Sequence, residues 1–222
     1  MYPIVYFSFS IRHVISTACL LSALLVCTSS VAATAVFLNE IHYDNEGGDT
    51  NEGVEIAGPS GLDLSDWQLL LYNGSRGNIY GTHELSGTLP EMTEGFGLLA
   101  FATPGLQNGP DGFALVNDLN EVVQFLSYEA SFTATEGAAS GLSSELIGAE
   151  ESSSTSLSYS LQLTGSGRFY GDFQWNTPQM HSFDSINPGQ SITPSAVPLP
   201  AALPLFLSGI IGFSALARRR NI

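Results

Sequence analysis

The side chains best suited to chemistry are the carboxylates of one short acidic loop. Residues 44–52 read Asp-Asn-Glu-Gly-Gly-Asp-Thr-Asn-Glu, and the carboxylates are those of Asp44, Glu46, Asp49 and Glu52. Ca²⁺ prefers such hard oxygen ligands, and glycines allow a loop to wrap tightly. The spacing does not follow the EF-hand pattern. Two interpretations stay open at this point, a Ca²⁺ site and a solvated loop between strands.

The histidines do not form a recognisable catalytic or metal-binding pattern. Those that follow residue 33 are His42, His83 and His181, far apart in sequence. The chain contains no His-Glu-x-x-His pair, no Gly-x-Ser-x-Gly elbow and no lysine for a phosphate-binding loop. His42 precedes Asp44 by two residues on the same face of a predicted strand, which favours a structural hydrogen bond over a catalytic pair. The sequence therefore predicts a protein that is not an enzyme.

The elements that position these residues are predicted to be strands. Asn73-Gly74 follows an apolar run and is a strong hairpin signal. No long stretch has the 3.6-residue period of an amphipathic helix, so residues 34–192 are predicted to be one all-β sandwich or barrel. The predicted strands cover residues 36–43, 53–57, 67–72, 97–101, 112–116, 122–128, 158–163 and 170–175.

Two segments of this region are predicted to be irregular. Residues 138–156 are rich in Ser, Ala, Gly and Glu, which predicts a long surface loop with one helical turn at residues 144–147. Residues 185–198 have the composition of a linker.

Several side chains on the predicted strands are assigned structural roles. Glu40 and Glu55 lie on neighbouring strands, and we expect them to accept hydrogen bonds from loop backbone or to pair with Arg76 or Arg168. Strand tyrosines are more often half-buried packing than a carbohydrate platform, which applies to Tyr72, Tyr80 and Tyr128. The predicted core aromatic residues are Trp67, Phe113, Phe125 and Trp175.

Charge and cysteine content exclude several classes of partner and site. All 21 Asp and Glu residues lie within residues 40–184, among only two arginines, so this region has a formal charge of −19. Such a surface repels nucleic acid, whose binding requires Lys and Arg to neutralise phosphates. Cys19 and Cys27 both precede residue 33, so the predicted domain holds no disulfide and no thiolate zinc site.

The two ends of the chain predict export and membrane attachment. Arg12, an apolar run over residues 14–26 and small residues up to Ala33 have the order of a secretory signal peptide, with an uncleaved anchor as the alternative. Near the C-terminus the 17 apolar residues 201–217 precede Arg218, Arg219 and Arg220. As a helix they would span about 25 Å, just short of a bilayer core of about 30 Å, and the arginines would remain in the cytoplasm.

These features divide the chain into four predicted segments. They are a signal peptide (1–33), an all-β domain (34–192), a linker with a sorting motif (193–200) and a single transmembrane helix with an Arg-rich cytoplasmic tail (201–222).

The C-terminal segment resembles a known class of sorting signal. Val197, Pro198, Leu199, Pro200 and Ala201, followed by the short apolar stretch and the arginine cluster, are similar to the VPLPA variant of the PEP-CTERM class. The resemblance implies recognition by an exosortase-type membrane protease. It also implies delivery to the outer surface or exopolysaccharide matrix of a Gram-negative bacterium. An ordinary single-pass anchor is the alternative.

The all-β region resembles the lamin tail domains of secreted bacterial proteins. The stretches that carry the resemblance are 39–45, 52–56, 62–67, 107–116, 122–129 and 160–165. The resemblance implies an immunoglobulin-like β-sandwich with an accessory or binding role. In bacteria this module often lies beside a nuclease or phosphatase domain. After about residue 192 only the sorting signal is expected here, so nuclease activity is not implied.

The sequence thus predicts a non-enzymatic, exported, surface- or matrix-associated binding or structural module. Its expected partners are the membrane, an exosortase-like protease and exopolysaccharide or surface proteins, with no nucleic acid and no cofactor other than Ca²⁺. The alternative is a secreted metal-dependent hydrolase, either a nuclease or a phosphatase, or an accessory domain of one. Such a hydrolase would hold its metal in the acidic loop.

Overall fold

A computed structural model describes residues 34–194, and this part of the chain is all-β. It contains thirteen strands in two sheets and no α-helix, which is consistent with the predicted sandwich. The predicted signal peptide, the motif of residues 197–201, the apolar helix and the arginine cluster lie outside the described residues. Among residues 34–194 there is no helix with the length and apolar character to cross a bilayer.

The first sheet has eight strands in the order β11-β10-β1-β2-β6-β5, with β12 and β13 pairing to opposite ends of β10. Every pairing is antiparallel except that of β13 with β10. The strands are β1 (Phe37–His42), β2 (Gly53–Pro59), β5 (Glu91–Thr93), β6 (Phe96–Ala102), β10 (Tyr159–Gly167), β11 (Phe173–Trp175), β12 (Gln179–Met180) and β13 (Gln190–Ile192). β13 falls in the stretch predicted to be a linker, so that part of the prediction is wrong.

The second sheet has five strands in the order β4-β3-β7-β8-β9, and only the β8–β9 pairing is parallel. They are β3 (Gln68–Asn73), β4 (Ile79–Glu84), β7 (Asp111–Val116), β8 (Val122–Tyr128) and β9 (Glu145–Leu146). The hairpin predicted at Asn73-Gly74 is confirmed, since β3 and β4 flank it.

The helical turn predicted at residues 144–147 is wrong, because this segment is the strand β9. The segment pairs with Leu126 and Ser127 of β8, and Ile147 donates its N–H to the Ser127 carbonyl over 2.9 Å. The edge of β8 would otherwise be unpaired. Its backbone N–H and C=O groups form hydrogen bonds with an added strand, whereas a helical turn would leave them without partners.

The main core lies between the two sheets. Inward-facing residues of the first sheet (Leu38, Val54, Ile56 and Leu161) pack with those of the second sheet (Leu69, Leu71, Phe113, Leu115 and Leu126). Each such side chain contributes roughly 1.5–3 kcal/mol when fully buried. The core predictions for Trp67, Phe113 and Phe125 are confirmed, whereas Trp175 is only partly buried.

The outer faces of both sheets are also covered, so several strands are buried on both sides. On the second sheet Ala134 and Ala139, in the segment between β8 and β9, pack over Leu70, Tyr72 and their neighbours. On the first sheet Phe173 joins a cluster with Phe37, Phe96 and Leu163. This double coverage explains why β1 and β7 are buried along their whole length.

Candidate functional site

The acidic loop is organised by an amide side chain at its base. Asn45 is 1% exposed, and its Nδ2 donates to the carbonyls of Glu46 (3.0 Å) and Gly48 (3.1 Å). Its Oδ1 accepts the N–H of Thr50 over 3.1 Å. The side-chain oxygen of Asn45 could serve as a cation ligand, but here it is bonded to the backbone of the loop itself.

The four predicted cation ligands lie in different surroundings. Asp44 is buried, its Oδ1 has no hydrogen-bond partner within residues 34–194, and burial and then the charge of Asp49 raise its pKa. Glu52 accepts the N–H of Gly105 through Oε2 over 2.6 Å, and Glu46 is exposed. In the described part of the chain, no three His, Cys, Asp or Glu side chains are arranged to hold a metal ion. The Ca²⁺ site stays a prediction.

A Ca²⁺ site in the loop requires a measurable change in thermal stability. Millimolar Ca²⁺ should raise the melting temperature of the full chain, because an ion that binds only the folded state stabilises it by mass action. Asp49→Asn should reduce that shift. Glu121→Gln is the control and should leave the shift unchanged, because Glu121 is exposed and lies in the β7–β8 turn, outside the acidic loop. An unchanged melting temperature at millimolar Ca²⁺ would leave the solvated-loop interpretation.

His42 has a partner that sequence reasoning missed. Its Nδ1 lies 2.9 Å from Oε1 of Glu151, not beside Asp44, and both side chains are almost fully buried. Oε2 of Glu151 accepts the N–H groups of Tyr43 (2.6 Å) and Asp44 (3.0 Å). Burial lowers the pKa of His42, but the hydrogen bond and charge of Glu151 outweigh burial, so the pKa is raised. The carboxylate thus fastens the segment between β9 and β10 to the end of β1.

Two buried carboxyl groups lie side by side on the outer face of the first sheet. Glu40 and Glu55 are paired residues of β1 and β2, and each is 0% exposed. Glu40 accepts hydrogen bonds from the Ser160 hydroxyl (2.6 Å) and from Ser182, through both its N–H (2.8 Å) and its hydroxyl (3.0 Å). Glu55 accepts from Asn39 Nδ2 (2.8 Å). The expected hydrogen bonds from loop backbone are confirmed, through the N–H of Ser182 for Glu40 and the N–H of Asp184 for Glu55, and within residues 34–194 neither pairs with Arg76 or Arg168.

Residues 181–190, here called the strap, cover these two carboxyl groups. The Asp184 N–H donates to Oε2 of Glu55 over 2.5 Å, and Asn187 Nδ2 donates to the carbonyls of Asn39 (3.1 Å) and Leu163 (3.0 Å). Burial and then the neighbouring charge of Glu40 act against the hydrogen bonds to Glu55 and raise its pKa to about 8. The strap is therefore docked by polar contacts to a face that the alternation of β1 and β2 would otherwise expose.

Of the three strand tyrosines that the sequence singled out, two are buried and one, Tyr80, is partly exposed. Tyr72 and Tyr128 are 0% exposed, so the packing interpretation is confirmed for them. Another partly exposed pair, Tyr170 and Trp175, lies at the edge of the first sheet. The sequence places both residues on the predicted strand 170–175 and Trp175 in the core, and no local signal indicates that they lie beside β9 of the second sheet.

Tyr170 and Trp175 line a cleft of about 440 Å³ between the edge strands β9 and β11. Trp175 Nε1 donates to the Tyr170 hydroxyl over 3.2 Å, and that hydroxyl donates to Oε1 of Glu145 over 3.1 Å. Burial raises the pKa of Tyr170, which keeps the hydroxyl protonated as the donor in this chain. The cleft combines an aromatic floor with a carboxylate at its rim, the composition of a small ligand site.

The fold defines the class of this protein as a two-sheet all-β domain with a surface cleft between its edge strands. No known protein family matches the chain, and neither the curated proteins nor the solved structures include a match.

Proposed function

We propose that this chain is a non-enzymatic, exported binding module that acts at the outer surface or in the extracellular matrix of a Gram-negative bacterium. The observation that carries the proposal is the cleft between β9 and β11, whose aromatic and acidic side chains are held by one chain of hydrogen bonds. Fixed side chains lose little conformational freedom on binding, which favours a ligand site.

An immunoglobulin-like, lamin-tail-like fold is part of the same proposal. The stretches that resemble lamin tail domains include most of β1, β2, β7, β8 and β10, which lie within the two sheets rather than at their edges. The mainly antiparallel pairing and the core between the sheets support this assignment.

Export and sorting are proposed from the two ends of the sequence. The signal-peptide pattern of residues 1–33 and the sorting motif of residues 197–201 flank the described sandwich. An acidic domain without cysteines suits this location, because it needs no disulfide to fold and its charge opposes aggregation.

Surface labelling tests the proposed location. An epitope inserted beside Leu119, which is 72% exposed in the β7–β8 turn, should be reached by antibody on intact cells. The intact mass of the mature protein should show loss of residues 1–33 and a C-terminus near Ala201. Labelling only after permeabilisation would contradict export, and a mass that retains Arg218–Arg220 would favour a permanent anchor.

A hydrolase assay separates the proposal from its alternative. The purified full chain should not cleave DNA or phosphoesters with any divalent cation. Reproducible turnover that Asp49→Ala abolishes would replace the binding module by a metal-dependent hydrolase.

A further inference from the structure

The cleft between β9 and β11 brings together aromatic side chains and a carboxylate that have not yet been given a ligand. We infer that the cleft binds a neutral saccharide, with a sugar ring on the Trp175–Tyr170 floor and sugar hydroxyls hydrogen-bonded to Glu145. The inference rests on the proposed binding role and names the ligand class for it.

The floor of the cleft suits the apolar face of a pyranose ring. Trp175 and Tyr170 are each partly exposed and pack against the core on their inner side. Leu146 of β9 is 45% exposed and forms part of the opposite wall. Aromatic rings with one polar end are efficient contact residues, because they offer a large rigid surface beside a hydrogen-bonding group.

The rim of the cleft supplies the polar groups that sugar hydroxyls need. Glu145 uses Oε1 for the Tyr170 hydroxyl, whereas its Oε2 makes no hydrogen bond within residues 34–194. The side chain of Gln174, exposed on β11, makes none within the same residues. A carboxylate oxygen accepts from hydroxyls, and an amide both donates and accepts.

The charge of the molecule selects a neutral ligand over an anionic one. The cleft carries Glu145 and no Lys or Arg, and it belongs to a region with 21 acidic residues and two arginines. An acidic polysaccharide or a phosphorylated ligand would meet like charge at the rim and over the surrounding surface.

The geometry also favours a saccharide over an added peptide strand. Strand addition draws its affinity from main-chain hydrogen bonds along an exposed sheet edge. Here β9 has two residues and β11 has three, so each edge offers few such bonds. The aromatic floor does not depend on strand length.

An oligosaccharide array tests the inference on the full chain, purified in a detergent without a sugar headgroup. The array carries neutral glucans, mannans and galactans, uronic-acid oligosaccharides and extended decapeptides. We expect retention of at least one neutral oligosaccharide. By calorimetry with that oligosaccharide, Trp175→Ala should raise the Kd about tenfold or more, Trp175→Phe should restore most of the affinity, and Glu145→Gln should weaken binding several-fold.

Tyr159→Ala is the matched control, because Tyr159 is an exposed aromatic residue (39%) on β10 outside the cleft. It should leave the Kd unchanged. Gln174→Ala, on the exposed side of β11, provides a second cleft variant that does not disturb the core, and it should also weaken binding.

Several results would overturn the saccharide inference. They are an array without neutral ligands, retention of uronic-acid oligosaccharides alone, or neutral binding that neither Trp175→Ala nor Gln174→Ala weakens. Peptide binding that both Trp175→Ala and Gln174→Ala weaken would contradict the saccharide inference, but the cleft would still be a ligand site. Saccharide binding by a chain that labels only in permeabilised cells would support the inference and sink the exported location.

Discussion

Replacing Glu151 by alanine is expected to lower the free energy of unfolding by about 3–5 kcal/mol, the range for breaking a buried ion pair. The variant removes the acceptor of the Tyr43 and Asp44 N–H groups and the partner of His42 Nδ1. These donors would stay buried without a partner, at a cost of about 1–3 kcal/mol for each such group. Urea denaturation of the full chain, followed by the fluorescence of Trp67 and Trp175, measures the change.

Glu150→Ala is the matched control for this prediction. Glu150 is the adjacent residue but is exposed, so its removal should change the free energy of unfolding by no more than about 0.5 kcal/mol. Glu151→Gln retains an acceptor oxygen and should be intermediate. Equal stabilities for Glu151→Ala and Glu150→Ala would show that the buried carboxylate does not hold the segment between β9 and β10.

The ion-pair part of the Glu151 effect should depend on pH. The pKa of His42 is raised in the folded state above its ordinary value of 6.5. Its stabilising contribution is therefore fully present below pH 6.5 and is lost as the pH rises through the raised folded value. The difference between wild type and Glu151→Ala should be larger at pH 5.5 than at pH 8.5. The part due to the two backbone N–H groups should persist at both pH values.

The second large effect is a loss of stability between pH 5 and pH 8, caused mainly by Glu55. The pKa of this carboxyl is raised from its ordinary 4.5 to about 8, so in this interval the folded state retains a proton that the unfolded state has released. Stability then falls as the pH rises, by at most about 1.4 kcal/mol per pH unit, and the total is several kcal/mol. The pKa of Glu40 is also raised, which acts in the same direction.

Glu55→Gln should remove most of this slope. The slope disappears because the amide cannot ionise. Near pH 5 the variant should be less stable than wild type, because the amide has one acceptor oxygen and one of the donors from Asn39 and Asp184 loses its partner. Near pH 9 it should be the more stable protein. Urea midpoints from pH 5 to pH 9 measure this crossing, with Glu84→Gln on the exposed side of β4 as the control. Parallel pH curves for wild type and Glu55→Gln would refute the assignment.

The central strands are readable from the sequence because their signal is local. Alternating apolar residues mark β1, β2, β3, β6, β7, β8 and the first half of β10, and each is found close to its predicted position. The strand pattern also identifies Glu40 and Glu55 as polar residues on neighbouring strands. Their roles follow from the general need of buried polar groups for hydrogen-bond partners.

The short strands β9, β12 and β13 are not readable in this way. They have two or three residues each, too few for a period-two pattern, and they form because the free edges of β8 and β10 supply hydrogen-bond partners. Because of this tertiary pairing, a predicted helical turn is the strand β9, and part of a predicted linker is the strand β13.

In the acidic loop, the sequence determines which ligand types are present, and the tertiary structure determines what each of them bonds. The composition of residues 44–52 by itself determines four carboxylates and a cation-attracting segment. Only the folded chain decides that Asn45 bonds the loop backbone, that the buried Asp44 donates its N–H to Glu151 and that Glu52 accepts the N–H of Gly105. These contacts join residues as far as 107 positions apart, and no spacing rule along the chain encodes such a distance.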